Sequence, residues 1–338
     1  MLRILIVRTD RLGDVILTLP MARALKRALP ESRVLFLIRS YTQPIVERAP
    51  DVDDVLLAEP EISFRELIRT FHTAKVGVAF FPNPRFRLAM AAWLARVPKR
   101  IGTGYRWYSF LFTNRIFEHR KTAERHEAEY NLRMLNFLGV SASEDELPNI
   151  QLRKEDRRAM DEWLAQYLEN PSASFAVLHV TNGGSTEPWP IQNFVELGKT
   201  IFEQYGMTII LTGLRQEVMI LNQVANAIGV DRSIVFAGHS VSELAALLER
   251  ARIVVASSTG PGHLAAALGA NAVGLFSLPL ALSKERWGFR GPRARNLSPS
   301  PLAECPTCAQ CTCMERLEVS NVMKEIDDLL RSPANLAK

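Results

Sequence analysis

The chain predicts two doubly wound α/β units, and three observations carry that expectation. Apolar, β-branched runs alternate with segments of helical periodicity along almost the whole length. The alternation restarts after an acidic, loop-like stretch at Glu144–Pro148 and the breaker pair Asn170-Pro171. Finally, 338 residues exceed one ordinary core, and two domains of about 150 residues each are the default. The expected division is 1–170, 171–318 and a closing helical segment, 319–338, which could fold back onto the first domain.

Taken in order, Leu2–Val7 reads as a buried first strand. Val15, Leu19, Ala22 and Leu25 then recur at helical spacing, so a helix runs to about Leu29 and stops before Pro30. Strands follow at Arg33–Ile38, Asp54–Leu57, Val76–Phe81 and Ile101–Gly104, with helices at Ser40–Ala49, Phe64–Phe71 and Phe86–Arg96. His126–Leu138 is an amphipathic helix with Gly139 as its C-cap, and Lys154–Leu168 is another helix. The second unit reads as strands Phe175–Val180, Thr208–Thr212, Ile234–Phe236, Ile253–Ala256 and Ala272–Leu275. Helices Gln192–Tyr205, Glu217–Ile228, Ser242–Glu249 and His263–Leu268 separate them, and Val319–Leu330 closes the chain. This is the rhythm of Rossmann-like sheets.

Composition narrows the class. With 47% hydrophobic and 23% charged residues the chain is globular, not disordered. Arg8, Asp10 and Arg11 interrupt the first apolar run, which argues against a signal peptide. The longest uncharged stretch, Ile253–Ser283, carries His263, Asn271, four glycines and two prolines, which argues against a lipid-embedded helix. A cytoplasmic protein is expected. Residues 1–150 hold 23 Lys/Arg against 17 Asp/Glu, and residues 151–338 hold 18 against 19. Cations interleave with aromatics between Arg85 and Arg125. An anionic membrane surface or an acidic substrate fits this half. Nucleic acid ranks last because no nucleic-acid motif accompanies the charge.

Three loops at strand ends hold the candidate site residues. Thr9–Asp14 lies between the first strand and its helix, where open α/β sheets bind ligands. Asp14 reads there either as a cap or as a functional carboxylate. After Phe175–Val180 comes TNGGST, in which Asn182, Gly183, Gly184 and Ser185 could cradle phosphate oxygens. After Ile253–Ala256 comes SSTGPGH, with Ser258, Thr259, Gly260 and His263 around a helix start.

Together RTDRLGDVILTLP, the pair Trp189-Pro190, AGHSVSELAALL, STGPGHLAAALG and Cys313-Met314 resemble glycosyltransferase family 9, the lipopolysaccharide heptosyltransferases. HEAEYNLRMLNFLG resembles the family's acceptor-domain helix. The resemblance implies a GT-B architecture, with two Rossmann-like domains facing each other across a cleft. It implies inverting transfer, with no metal or other cofactor, of heptose from a nucleotide sugar, ADP-heptose in most members, to the lipopolysaccharide inner core. Asp14 matches the catalytic base. Asn182, Gly183, Glu217, His239, Thr259, Gly260 and His263 match the donor site, and Arg8, with Thr9 and Arg11 beside it, matches the acceptor side. The partners implied are a nucleotide-sugar donor, an anionic glycolipid acceptor and a peripheral contact with the inner membrane.

Two positions depart from the family pattern. Glu187 stands where a Lys or Arg is common, so the usual cation is either supplied from elsewhere, by Lys284 or Arg286, or absent. Ser258 stands where many members have Asp. Another nucleotide-sugar donor, or a non-catalytic binding protein, therefore stays open. An oxidoreductase is disfavoured because TDRLGD lacks G-x-G-x-x-G. Cys305, Cys308, Cys311 and Cys313 form C-x2-C-x2-C-x-C, which matches neither a standard zinc ribbon nor the common iron–sulfur run. Thiols without metal are the favoured reading.

Overall fold

Two six-stranded, wholly parallel sheets organise the chain. The computed structural model describes residues 1–168, 170, 173–182, 184, 187–300 and 313–331. The chain divides into two units, Met1–Gln151 and Leu152–Lys338. In the first, strands β1 (Arg3–Val7), β2 (Arg33–Ile38), β3 (Asp54–Leu57), β4 (Val78–Phe80), β5 (Lys99–Thr103) and β6 (Asn114–Ile116) lie in the order β3-β2-β1-β4-β5-β6. In the second, β7 (Phe175–His179), β8 (Thr208–Gly213), β9 (Ser233–Ala237), β10 (Ile253–Ser257), β11 (Ala272–Leu275) and β12 (Ala294–Leu297) lie in the order β12-β11-β10-β7-β8-β9. The topology of the first sheet is thus repeated in the second. Each sheet reverses its winding between its first and fourth strands, where β1 pairs with β4 and β7 with β10. Loops leaving those strands diverge there and open a crevice at the carboxyl ends.

The strands are apolar because both faces are covered: Ile4, Leu5, Ile6 and Val7 are all buried, as is every residue of β7. The first unit packs Leu5, Leu35, Leu67, Phe71, Ala89 and Phe112 into one core. The second packs Leu178, Trp189, Phe194, Leu211, Val255 and Ile326 into another.

The structure revises four sequence expectations. The helix expected up to Leu29 is broken into Leu12–Ile16 and Leu19–Ala28, because Pro20 supplies no amide to continue the ladder. Helix Glu127–Arg133 tightens into a 3-10 turn, Met134–Leu138, before Gly139 closes it at φ +71°. Strands β6 and β12 extend the sheets beyond the strands read from the sequence; NRI and ARNL are too polar to signal a buried strand. The units divide after Gln151 and not near 170, because helix Lys154–Tyr167 belongs to the second unit. There Trp163 packs edge-on against Phe236 at 4.9 Å and Arg157 pairs with Glu249 at 2.6 Å. The closing helix Val319–Arg331 buries Val322, Ile326 and Leu329 in the second unit's core. Among the described residues no helix is long and apolar enough to cross a membrane.

Candidate active site

Where β1 ends in the first unit, one buried cation gathers three carboxylates. Arg8 is only 2% exposed. Its Nη2 donates to Asp14 Oδ1 at 2.5 Å and lies 3.5 Å from Glu127 Oε1, while its Nε stands 3.0 Å from Asp10 Oδ2. Glu127 is held from its other side by Arg120, which also donates to Asn131 Oδ1 at 2.9 Å. Asn131 Nδ2 donates to the Leu17 carbonyl and to Thr18 Oγ1, each at 3.2 Å. Thr18 Oγ1 donates in turn to the Asp14 carbonyl at 2.7 Å. The break between the first two helices thus creates the hydroxyl and carbonyl by which helix Glu127–Arg133 positions Asp14.

Asp10 links this cluster to the other loop of the switch point. Asn83 Nδ2 and Arg85 Nη2, both beyond β4, donate to Asp10 Oδ1 at 3.1 Å. Burial pushes the Asp14 carboxyl above its ordinary pKa; Arg8 opposes this, and the charges of Asp10 and Glu127 add to it. Burial disfavours the Arg8 charge, yet Asp14, Glu127 and Asp10 outweigh it and hold Arg8 above its ordinary value. The arrangement supplies a carboxylate of raised basicity, suited to taking a proton.

A cavity of about 330 Å³ opens at the carboxyl ends of β4, β5 and β6, a size that fits a small ligand. Asn83, Thr103, Tyr105, Arg106, His119 and Arg120 line it. Tyr105 stacks on His119 at 4.0 Å. Asn83 and Arg120 are also the residues that bind Asp10 and Glu127, so the cavity and the Asp14 cluster share a wall.

In the second unit, buried hydroxyls collect at the ends of β10 and β11. Ser257, Thr259, Ser277 and Ser283 are 1%, 8%, 1% and 3% exposed, and their hydroxyl oxygens have no hydrogen-bond partner among the described residues. Four such groups in one region represent unspent hydrogen-bonding capacity. Gly260 begins helix Gly260–Ala267, with Pro261 in its first turn. A Cβ on Gly262 would come within 2.0 Å of Phe289 Cζ, so close packing, not freedom of φ, demands that glycine. His263, 4% exposed, meets the Phe289 ring edge-on at 4.9 Å. Lys284 and Arg286 lie on the short helix Lys284–Trp287, immediately after Ser283.

Across the switch point, β7 and β8 end in a tied set. Glu217 Oε2 accepts from Thr181 Oγ1 at 2.8 Å and from the Leu214 amide at 2.7 Å. His179 Nδ1 lies 2.9 Å from Thr212 Oγ1, and burial pushes the imidazole down to about 4. His239 stacks on Phe236 at 3.8 Å and pairs with Glu243 at 3.1 Å. Gly184, at φ +70°, donates its amide to Asn182 Oδ1 at 3.0 Å.

Several expected residues acquire different surroundings. Arg8 is turned onto carboxylates. Arg11 is exposed and offers its amide to Asp14 Oδ2 at 3.3 Å, while Thr9 is buried. Glu187 is occupied structurally: its oxygens accept from the Met314 amide and the Cys313 thiol, each at 3.1 Å. Next to it Trp189 Nε1 donates to the Leu317 carbonyl at 2.8 Å, so the Trp-Pro and Cys-Met segments are stapled together. Gly183 and Ser185, with Cys305, Cys308 and Cys311, lie outside the described residues. Among the described residues no cluster of His, Cys, Asp and Glu is arranged to hold a metal. Asp10, Glu127, Arg120, His179, Ser277 and Ser283 were not singled out from the sequence. HEAEYNL is part of a recognisable motif, but nothing in it marks Glu127 as buried, and the serines after β11 give no signal either.

Comparison with known proteins identifies the fold and the family. The family model for glycosyltransferase family 9 (heptosyltransferase) matches residues 87–314. A Haemophilus influenzae protein named as a candidate glycosyltransferase is 24% identical over 98% of this chain and 97% of its own. Lipopolysaccharide heptosyltransferase 2 of Salmonella typhimurium is 22% identical over 81% of this chain and 82% of its own. Among solved structures, a family 9 glycosyl transferase from Veillonella parvula superposes with a TM-score of 0.84 at 21% identity, covering 97% of both chains. Escherichia coli ADP-heptose heptosyltransferase II gives 0.80 at 18% identity, covering 97% of this chain and 98% of that one. Another Escherichia coli heptosyltransferase, solved with ADP, gives 0.72 at 18% identity, covering 97% of this chain and all of that one. With two parallel sheets of GT-B type and a family match over well over half its length, the chain belongs to glycosyltransferase family 9, the heptosyltransferases, and is a glycosyltransferase.

Proposed function

We propose that this enzyme moves a heptose from ADP-heptose to a sugar of the lipopolysaccharide inner core, with inversion and without a metal. The observation that carries the reading is the Asp14 carboxylate, buried at the switch point of the first sheet and raised in basicity. In this reading the acceptor hydroxyl attacks the anomeric carbon as the bond to the diphosphate breaks. Asp14 takes the hydroxyl proton, and the diphosphate leaves with the bonding pair. Arg8 positions Asp14, while Thr9, Arg11 and the cavity lined by Tyr105, Arg106 and His119 meet the acceptor. The leaving charge is met by the helix start at Gly260, by the hydroxyls of Ser257 and Thr259, and by Lys284, with Asn182 and Gly184 assigned to the same donor site. Glu217 and His239 are assigned to the nucleoside end. ADP and ADP-linked heptose occupy related solved structures, which supports adenine as the base.

Two measurements test the reading. Asp14→Asn is expected to lower turnover about 10²- to 10⁴-fold while leaving ADP affinity unchanged by calorimetry; surviving turnover would overturn the base assignment. Calorimetry with ADP, UDP and GDP tests the donor, and preference for UDP or GDP would assign another one.

A further inference from the structure

Asp14 shares Arg8 with two other carboxylates, and both of those lead outward. Arg8 Nε stands 3.0 Å from Asp10 Oδ2, and its Nη2, bonded to Asp14 at 2.5 Å, lies 3.5 Å from Glu127 Oε1. Each competitor is held from its far side by the wall of the 330 Å³ cavity. Asn83 donates to Asp10 Oδ1 at 3.1 Å, and Arg120 donates to Glu127 Oε1. Asn83 follows β4 and Arg120 follows β6, and both line the cavity. Two separate paths therefore run from the cavity to one guanidinium.

The cavity suits an anion. Arg106, Arg120 and His119 line it, and its one carboxylate among the described residues, Glu118, is paired with Arg133. The stacked Tyr105–His119 pair adds a flat face, and the volume fits a single sugar unit. An anion bound there must share donors that already have work. Arg120 Nη1 serves Glu127 and also Asn131 Oδ1, the latter at 2.9 Å. A guanidinium turned toward a ligand anion holds Glu127 less firmly. Glu127 then draws harder on Arg8, and Asp14 loses part of its counter-charge. Asn83 turned toward the ligand does the same through Asp10.

We propose that an anionic sugar in this cavity acts on Asp14 through Arg120–Glu127 and Asn83–Asp10, loosening Arg8 from the base, so that Asp14 becomes fully basic only with the acceptor in place. Arg120 and Asn83 are then positioning residues for Asp14. This rests on the reading of Asp14 as the base and of the cavity as the acceptor's. Turnover of Asp14→Asn judges that reading, whereas the coupling is judged by ligand binding without any transfer.

A ligand that raises the basicity of Asp14 must, by reciprocity, bind more tightly once Asp14 is protonated. The test is calorimetric affinity of the full chain for glucuronate and for glucose 6-phosphate, with glucose as the neutral control, between about pH 8 and pH 5. Both anionic sugars should bind, glucose far more weakly, and the affinity should rise on acidification. His119 and Glu118 on the wall, and the ligand's own phosphate, can add to that rise. Tyr41, which donates to the Asp10 carbonyl, stays neutral because burial raises it. Asp14→Asn keeps these contributions and removes that of Asp14, so the parent's rise should exceed the variant's by about threefold to tenfold. Glu127→Gln should remove roughly half of this excess or more. Asp10→Asn should remove a smaller part, because Arg85 also holds Asp10. Direct repulsion between ligand and Asp14 would leave the excess intact in both variants. Arg120→Gln should weaken the anionic sugars about tenfold or more and leave glucose unchanged. The proposal is overturned by equal binding of charged and neutral sugars, by equal rises in the parent and Asp14→Asn, or by an excess that persists in both carboxylate variants.

Discussion

Arg8 holds Asp14 Oδ1 at 2.5 Å, and it does so while Asp10 and Glu127 also balance its charge. A buried guanidinium with one carboxylate would be left uncompensated once that carboxylate took a proton. Here the other two remain. Protonation of Asp14 therefore leaves Arg8 still compensated, which is what a recurring proton acceptor requires.

This arrangement has a pH signature. Burial first, with help from Asp10 and Glu127, raises the Asp14 carboxyl, so the acid limb of kcat/KM should lie above the ordinary carboxylate range. Removing one negative neighbour lowers that pKa. Glu127→Gln, and Asp10→Asn on a different element, should each move the limb to lower pH, by roughly half a unit to one unit. The plateau of kcat should fall as well, because Arg8 then holds Asp14 more tightly. A limb that stays in place in both variants would remove the electrostatic account.

Glu187 makes a second case. Its position invites a phosphate-binding role, but both oxygens are engaged by Cys313 and Met314. Burial pushes the Cys313 thiol upward, with Glu187 adding to it, so the sulfur remains a donor. Glu187→Lys should therefore cost about 1 to 3 kcal/mol of stability in urea denaturation and leave ADP affinity nearly unchanged. Glu187→Gln, which keeps an acceptor oxygen, should lose less. A large gain in ADP affinity on Glu187→Lys would return the residue to the phosphate site.

The doubly wound architecture was legible because β1 and β7 are uninterrupted apolar runs, each followed by a helix start. Asp14 was legible for the same reason, lying in the one loop that the first strand and helix define. Edge strands β6 and β12 were not, since Asn114–Ile116 and Ala294–Leu297 lack the continuous apolar signal of a central strand. The partners of Asp14 were hidden by distance: Glu127 and Asn131 lie more than a hundred residues away, and they reach it through Arg8 and through the break at Leu17–Thr18, respectively. The resemblance placed Arg8 on the acceptor side, but a cation beside a ligand loop and a cation buried under it look alike in sequence. Burial separates them.

His179 carries the last prediction, which concerns stability. Its imidazole is buried on β7 beside Thr212, and burial lowers its pKa from the ordinary 6.5 to about 4. The unfolded chain binds a proton there near the ordinary value, while the folded chain waits until about 4. Between those values protons favour the unfolded state, so this contribution to stability is complete above about pH 6.5 and is lost as pH falls toward about 4. From pH 7.5 to 5 it should amount to about 2 kcal/mol. His179→Asn cannot titrate but can still accept from the Thr212 hydroxyl. It should be less stable than the parent at pH 7.5, because the ring's packing is lost, and its stability should fall less on acidification. Urea denaturation of both proteins at the two pH values measures the difference, and parallel losses would show that His179 is not the group responsible.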